Sequence, residues 1–259
     1  MMLKDKVAVI YGAGGAIGAA IAHAFAREGA RLFLTGRHRA PIDALTKEVT
    51  SAEAAEVDAL DEQAVDRHLQ SVIDKTGRID ISFNAVGIPN TKIQGVPLVD
   101  LDAEQFILPI ATYARSYFLT ARLAARRMSA NKSGVIMTVT SVPARTGIPL
   151  VGGLGPAMSA VEQITRNLSV ELAPKGIRVV GLRPQGMPES STIREVFELH
   201  ARAHGISWDQ FHGMIASRTH TGRLTTLEEM ANAAVFMASD KASAMTGTAV
   251  NLSMGSLDD

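Results

Sequence analysis

The stretch Val7-Ala8-Val9-Ile10-Tyr11-Gly12-Ala13-Gly14-Gly15-Ala16-Ile17-Gly18 constrains the fold more than any other part of the chain. Its first five residues are apolar and rich in β-branching, the pattern of a buried strand, and they run straight into a glycine-rich turn. Ile17, Ile21 and Phe25 then recur at helical spacing, and Gly29 stands where such a helix would end. A second apolar strand, Arg31-Leu32-Phe33-Leu34, follows at once, so the chain opens with the start of a βαβ unit. Glycines in such a turn let the backbone approach an anion, and the unpaired N–H groups of the helix start point at it. Gly12, Gly14, Gly15, Ile17 and Gly18 are therefore the candidate contacts of a phosphate cradle. The alternative is a turn that joins strand to helix and holds nothing.

The rest of the chain continues the alternation. Strands are expected to end at Val57-Asp58, over 79–83, over 135–139, over 177–182 and over 248–252. Helical spacing covers 41–49, 62–75, 103–129, 156–172 and 226–238, with a break or bend expected near Pro109. Strands that alternate with helices throughout predict an α/β fold: a single doubly wound parallel sheet with helices on both faces. Residues 185–222 read as an irregular, variable segment on the substrate side.

In a sheet of that kind, ligands sit at the carboxyl ends of the strands. The second strand runs into Thr35-Gly36-Arg37-His38-Arg39, where the ribose next to an adenine would lie. An acid there would hold a free 2′-hydroxyl, whereas an arginine suits a 2′-phosphate. Arg37, with Arg39 in support, argues for NADP over NAD; an ordinary solvated basic loop is the alternative. Asp58 could accept a hydrogen bond from the adenine amino group, or belong to the N-cap region of the next helix. Asn84, Ala85 and Gly87 follow the next strand as a polar residue, a small one and a glycine, which suits the wall of a cofactor crevice.

Composition narrows the partners. Lys and Arg number 26, as do Asp and Glu, and the zero net charge offers nothing to nucleic acid or to a membrane surface. The absence of cysteine excludes disulfides, thiolate metal sites and a Cys nucleophile. No apolar run approaches the roughly 18 residues needed to span a bilayer. Met1-Met2-Leu3-Lys4-Asp5 does not resemble a secretory leader, so a cytoplasmic protein is expected. His200, His204, His212 and His220 cluster late in the chain, but they give one i,i+4 pair and no HExxH pattern. A surface helix with incidental histidines is expected there, and no metal.

These ordered motifs resemble the short-chain dehydrogenase/reductase family over almost the whole chain. Gly12 and Gly18 match its glycine turn, with Ala16 at the middle glycine and Gly14 and Gly15 nearby. Asp58 matches the adenine-side acid, and Asn84-Ala85-Val86-Gly87 is similar to the family's Asn-Asn-Ala-Gly. Glu162, Arg166 and the run Glu171-Leu172-Ala173-Pro174-Lys175-Gly176-Ile177-Arg178-Val179 follow the family's usual text, as do Gly222-Arg223-Leu224, 238–243 and Thr246-Gly247. The resemblance implies one NAD(P)-binding Rossmann-fold domain over 1–259, and an oxidoreductase that transfers hydride to or from a small carbonyl or alcohol substrate. It also implies a homodimer or homotetramer built through the long helices, where Tyr113, Tyr117, Phe118, Leu123, Ile164 and Leu168 offer apolar surface.

The catalytic positions depart from the family. It uses a serine after the fifth strand, a tyrosine thirteen residues later and a lysine four beyond that. Here these are Ser141, Leu154 and Met158. The family's helix asparagine aligns with Tyr113, and the proline–glycine pair after the sixth strand is Pro184-Gln185. The only tyrosines are Tyr11, Tyr113 and Tyr117, so no shift of alignment supplies the missing phenol. Two readings follow. One is an NADP(H)-dependent oxidoreductase with a rearranged site, in which Tyr113 donates the proton and Ser141 orients the carbonyl. In the other, Tyr113 merely packs in a helix contact and the protein binds NADP(H) or another ligand without catalysis.

Overall fold

The structure is a computed structural model and describes residues 1–258. Strands and helices alternate as β1 (Val7–Tyr11), α1 (Ala16–Arg27), β2 (Arg31–Gly36), α2 (Arg39–Glu48), β3 (Ala52–Glu56), α3 (Glu62–Thr76), β4 (Ile81–Asn84) and α4 (Ala103–Asn131). They continue as β5 (Gly134–Val139), α5 (Leu154–Leu172), β6 (Ile177–Pro184), α6 (Ser191–His204), α7 (Trp208–Ala216), α8 (Leu227–Ala238) and β7 (Thr248–Leu252). All strand pairs are parallel, in the order β3-β2-β1-β4-β5-β6-β7. The chain winds outward from β1 to β3, returns to lay β4 beside β1, and then winds the other way. The expected doubly wound sheet is therefore present, and its direction reverses between β1 and β4. A crevice opens at such a reversal, because the loops after the two strands leave in opposite directions.

Side-chain alternation builds a core on each face. Ala8, Ile10, Leu32, Leu34, Ile81, Phe83, Val180 and Leu182 face α1, α2 and α8, where Ile21, Phe25, Ile42 and Val235 meet them. Val7, Val9, Tyr11, Phe33, Ile136 and Val179 face α3, α4 and α5, against Val65, Leu69, Tyr117 and Val161. Each such side chain contributes about 1.5–3 kcal/mol on burial. Polar groups secure the ends. Asp61 caps α3 by accepting from the N–H groups of Gln63 and Ala64, and Asp102 does the same for α4 with Glu104 and Gln105. Arg178 reaches down from β6 and donates to the carbonyls of Met237 and Ser239 at the end of α8, at 2.8 and 3.0 Å.

Three expectations need correction. The long helix runs through Pro109 without interruption, with that proline buried and Gly153 leaving room for its ring. A proline removes one N–H donor, and the packing along both sides of so long a helix outweighs that loss. Residues 185–222 are not irregular, since they hold α6 and α7. Ser190 caps α6, Gly205 ends it in the left-handed region, and a Ser207–Gln210 capping box opens α7. Finally, Tyr117 and Leu123 lie in the core rather than on a subunit face. Among the described residues, no helix is long and apolar enough to cross a membrane.

One core side chain is poorly served. The Tyr11 hydroxyl is completely buried and has no hydrogen-bond partner among the described residues, and burial pushes its pKa up. An unpaired buried hydroxyl costs about 1–3 kcal/mol. Tyr11→Phe is therefore expected to raise the denaturant midpoint of the protein. A fall in that midpoint would show that the hydroxyl has a partner after all.

Candidate functional site

At the reversal point the backbones of β1 and β4 nearly touch. Gly12 has φ of +73°, and a Cβ there would lie 2.5 Å from the Ala85 carbonyl oxygen and 2.9 Å from the Val86 nitrogen. Only glycine fits both the torsion and the space. Gly18 solves the matching problem one turn into α1, where a Cβ would sit 2.7 Å from the Ala13 Cα. The turn is held by Ala13 N–H donating to Thr35 O at 2.9 Å and Gly15 N–H to Gly12 O at 3.1 Å. The α1 ladder then starts with Ala19 N–H on Gly15 O. No side chain caps α1, and its first turn holds no acid. The first N–H groups of α1 thus present the positive end of the helix at an exposed turn formed by Gly14 and Gly15, with Ile17 half-buried behind them. Uncapped donors with no competing carboxylate fit a pyrophosphate.

The strand tops beside this turn carry the adenine-side candidates. Arg37 is exposed and makes no hydrogen bond or ion pair among the described residues. Arg39 does not support it, because its Nε donates to Asp43 at 2.8 Å within α2. Val57 N–H bonds to Gly36 O, which sets Asp58 beside the Arg37 loop. The Asp58 carboxylate accepts from Leu60 N–H at 2.9 Å, and Asp61 is the actual cap of α3, so the capping role expected of Asp58 belongs to Asp61. Asn84 is buried and doubly engaged: Nδ2 donates to Thr120 at 3.0 Å, and Oδ1 accepts from Val86 N–H at 3.1 Å. Ala85 N–H bonds to Tyr11 O. These bonds fix the loop whose outer end, Gly87, is exposed.

On the far side, α5 lies over the ends of β5 and β6. Ser159 Oγ donates to Ala144 O at 2.8 Å and holds the start of α5 against the turn that follows Ser141. Ser141 Oγ is buried and has no hydrogen-bond partner among the described residues. Leu154, Met158 and Glu162 succeed one another along α5 at four-residue steps; Leu154 is half-buried, and the other two are buried. Glu162 is 2% exposed, and its carboxylate accepts from Arg183 Nε at 2.7 Å and from Thr140 Oγ1 at 3.1 Å. Arg145 and Arg166 each stand 3.9 Å from its other oxygen. This ion pair joins α5, β5 and β6 beneath the apolar pair, and sequence reasoning missed it. A charged residue between Leu182 and Pro184 in a buried strand was the available signal. Pro184 itself is buried at the end of β6, opposite Leu252.

Tyr113, on α4, is half-buried against the core. Burial raises its pKa, and the nearby Ile88 backbone only partly opposes this. Among the described residues the structure does not join Tyr113 to Ser141, whose hydroxyl has no hydrogen-bond partner there. The late histidines are also not uniformly superficial. His200 is 4% exposed, with Nε2 3.1 Å from Gln94 Oε1, and burial, with the neighbouring His204, pushes its pKa down to about 4.

Comparison with known proteins places this site in a lineage. The family model described as enoyl-(acyl carrier protein) reductase matches residues 12–256. The uncharacterized oxidoreductase YxbG of Bacillus subtilis (strain 168) is 31% identical over 249 residues, covering 95% of this chain and 88% of its own. The structure of 3-ketoacyl-(acyl-carrier-protein) reductase from Brucella melitensis complexed with NADH superposes with a TM-score of 0.85 at 27% identity, over 98% of this chain and 99% of that one. An actinorhodin polyketide ketoreductase structure with NADPH, at 23% identity and a TM-score of 0.88 over 97% of each chain, shares the fold. The chain belongs to the short-chain dehydrogenase/reductase family of oxidoreductases.

The buried histidines give a pH signature. His68, beside the Phe33 ring, is also pushed down to about 4, chiefly by burial and secondarily by Lys75. Both are neutral in the fold, whereas the unfolded chain takes up protons near pH 6.5. Their contribution is therefore complete above about pH 6.5 and is lost as the pH falls toward 4. The denaturant midpoint should drop between pH 7 and 4.5, and less steeply in His68→Phe; a midpoint flat over that range would contradict this.

Proposed function

We propose that this protein binds NADP(H) in a single domain over 1–259 and acts on a small carbonyl or alcohol compound through an altered active site. The observation that carries the reading is the uncapped start of α1 beside an unpaired Arg37. Gly12, Gly14, Gly15, Ile17 and Gly18 would hold the pyrophosphate, Arg37 the 2′-phosphate and Asp58 the adenine amino group. Asn84, Ala85, Gly87 and Pro184 would line the rest of the crevice. A bound nicotinamide dinucleotide supplies or accepts the hydride.

The protein's own part is to meet the charge that develops on the substrate oxygen. Leu154 and Met158 occupy the positions of the family's tyrosine and lysine, and neither can donate a proton or carry charge. Ser141 keeps an unpaired buried hydroxyl, ready to donate to one ligand oxygen. Tyr113 is a reluctant acid, because burial raises its pKa. A missing general acid typically costs on the order of 10²–10⁴ in rate. That apolar pair, together with the raised pKa of Tyr113, favours as second reading a protein that binds the cofactor or a ligand without turnover.

Titration with NADPH and NADH tests the first reading. NADPH should bind more tightly, and Arg37→Asp should reverse the order; equal affinities would contradict the assignment of Arg37. In the same assay, Leu154→Tyr with Met158→Lys should raise NADPH-dependent reduction of a ketone panel above that of the unmodified protein. Either change alone should help much less, since donor and cation act as a unit. Brisk turnover by the unmodified protein, lost in Tyr113→Phe, would instead place the proton donor at Tyr113.

Assembly belongs to the same proposal. Ile107 (49%), Leu108 (42%) and Phe118 (43%) on α4, with Val170 (78%) on α5, remain exposed. Such apolar surface on two long helices supports a homodimer or homotetramer. Light scattering at micromolar concentration should give a multiple of 27.5 kDa, and a monomeric mass would refute it.

A further inference from the structure

A cavity of about 360 Å³ opens at the amino ends of β4, β5 and β6, on the edge of the sheet opposite the crevice. That volume is near the low end for ligand pockets and suits a small molecule. Its wall carries the charged side chains of Lys6, Asp80, Arg178 and Asp240, with the exposed residues Ser133 and Ser243 beside them.

The charged groups are not equivalent. Asp80 is buried and satisfied: one carboxylate oxygen accepts from Val7 N–H at 2.8 Å, and the other from Arg78 Nε at 2.9 Å. Asp240 is open to water, its side chain 86% exposed, and it accepts from Lys6 Nζ at 3.0 and 3.2 Å. Arg178 touches no carboxylate among the described residues. Its Nη atoms donate to the carbonyls of Met237, Ser239 and Met245 at 2.8, 3.0 and 3.2 Å, and its Nε–H donates to nothing there. Those carbonyls fix the guanidinium plane without neutralising its charge. Burial pushes the Arg178 pKa down, a pressure that a bound anion would oppose. The hydroxyls of Ser133 and Ser243 also make no hydrogen bond among the described residues.

We propose that this cavity binds a small phosphate ester, at a site separate from the crevice at the carboxyl ends of the strands. The phosphate takes the Nε–H of Arg178 and the ammonium of Lys6, and Asp240 turns out into water. Asp80 stays neutralised by Arg78, so two cations then face a dianion and the charges balance. An ion pair open to water is worth little, so exchanging Lys6–Asp240 for a charge-assisted bond beside Arg178 is favourable. A bare phosphate would fill only part of the cavity. The remainder, where Ser133 and Ser243 are free to donate or accept, takes a short hydroxylated body. None of the residues assigned to the dinucleotide takes part, so the site does not depend on the proposed function.

Hydrogen exchange of the full-length protein, titrated with inorganic phosphate and with glycerol phosphate, tests the site. It is read over 173–178 and 238–246, and over 12–18 for the turn after β1. Both compounds should slow exchange at 173–178 and 238–246, glycerol phosphate at the lower concentration. Lys6→Gln should weaken the response by about tenfold, because one charge-assisted bond is lost. Asp240→Asn removes the carboxylate that competes for Lys6 and should strengthen it by about threefold. Ser243→Glu adds an anion beside the cavity and should abolish it. Asp240→Asn changes only an exposed side chain, so it carries the test if another variant does not fold. Protection confined to 12–18, or equal protection by sodium chloride at the same ionic strength, would overturn the proposal. So would equal potency of the two phosphates, or a response unchanged in Lys6→Gln and Asp240→Asn. Failure of NADPH to bind the unmodified protein would overturn the proposed function and leave this site standing.

Discussion

The close approach of Gly12 to Ala85 is the constraint on which the rest depends. Two parallel strands leave the sheet at that point in opposite directions, and the crevice exists because their first turns almost touch. A side chain at position 12 would collide with the Ala85 carbonyl and force the β1 turn away from β4. That would move the first N–H groups of α1, which are the only part of the site that needs no side chain. It would also disturb Asn84, whose amide ties the β4 loop both to α4 and to itself. A backbone contact therefore organises a site that side chains then decorate.

The other half of the site is organised by a buried charge. A carboxylate at Glu162 inside the protein is tolerable only because Arg183 and Thr140 satisfy it, with two more arginines nearby. Removing one partner of such a pair typically costs about 3–5 kcal/mol, because the other charge is left stranded. The pair fastens α5 across β5 and β6, and so fixes the height at which Met158 and Leu154 lie over the strand ends. Ser141 is held in the same frame through the turn that Ser159 grips. The result is a firm scaffold around a hydroxyl and two apolar side chains.

These features pull the functional reading in two directions. The turn after β1 leaves the first N–H groups of α1 without a side-chain cap and without an acid in the first turn. On the α5 side, Leu154 and Met158 have neither a proton to donate nor a charge, and burial raises the pKa of Tyr113. Family membership and the uncapped turn support the proposed dinucleotide, whereas the proposal of altered chemistry rests on Leu154 and Met158. The α6–α7 hairpin adds a third element, a small apolar cluster separate from the two that flank the sheet.

Local patterns determined the architecture. Alternating apolar residues in β1, β2 and β6, helical spacing between them and glycine after β1 were enough to predict a doubly wound parallel sheet, because strand pleat and helix pitch are written in sequence at short range. The caps of α6 and α7, at Ser190, Gly205 and Ser207–Gln210, carry the same short-range signal within a segment of mixed composition. What only the tertiary structure decided were meetings between distant residues. Arg39 turned to Asp43, Asp61 displaced Asp58 as cap, and Tyr117 went inside. Glu162 found Arg183 and Thr140, and His200 reached Gln94. A side chain's partner depends on which elements pack against it and how much water they exclude, and neither quantity has a period in the sequence.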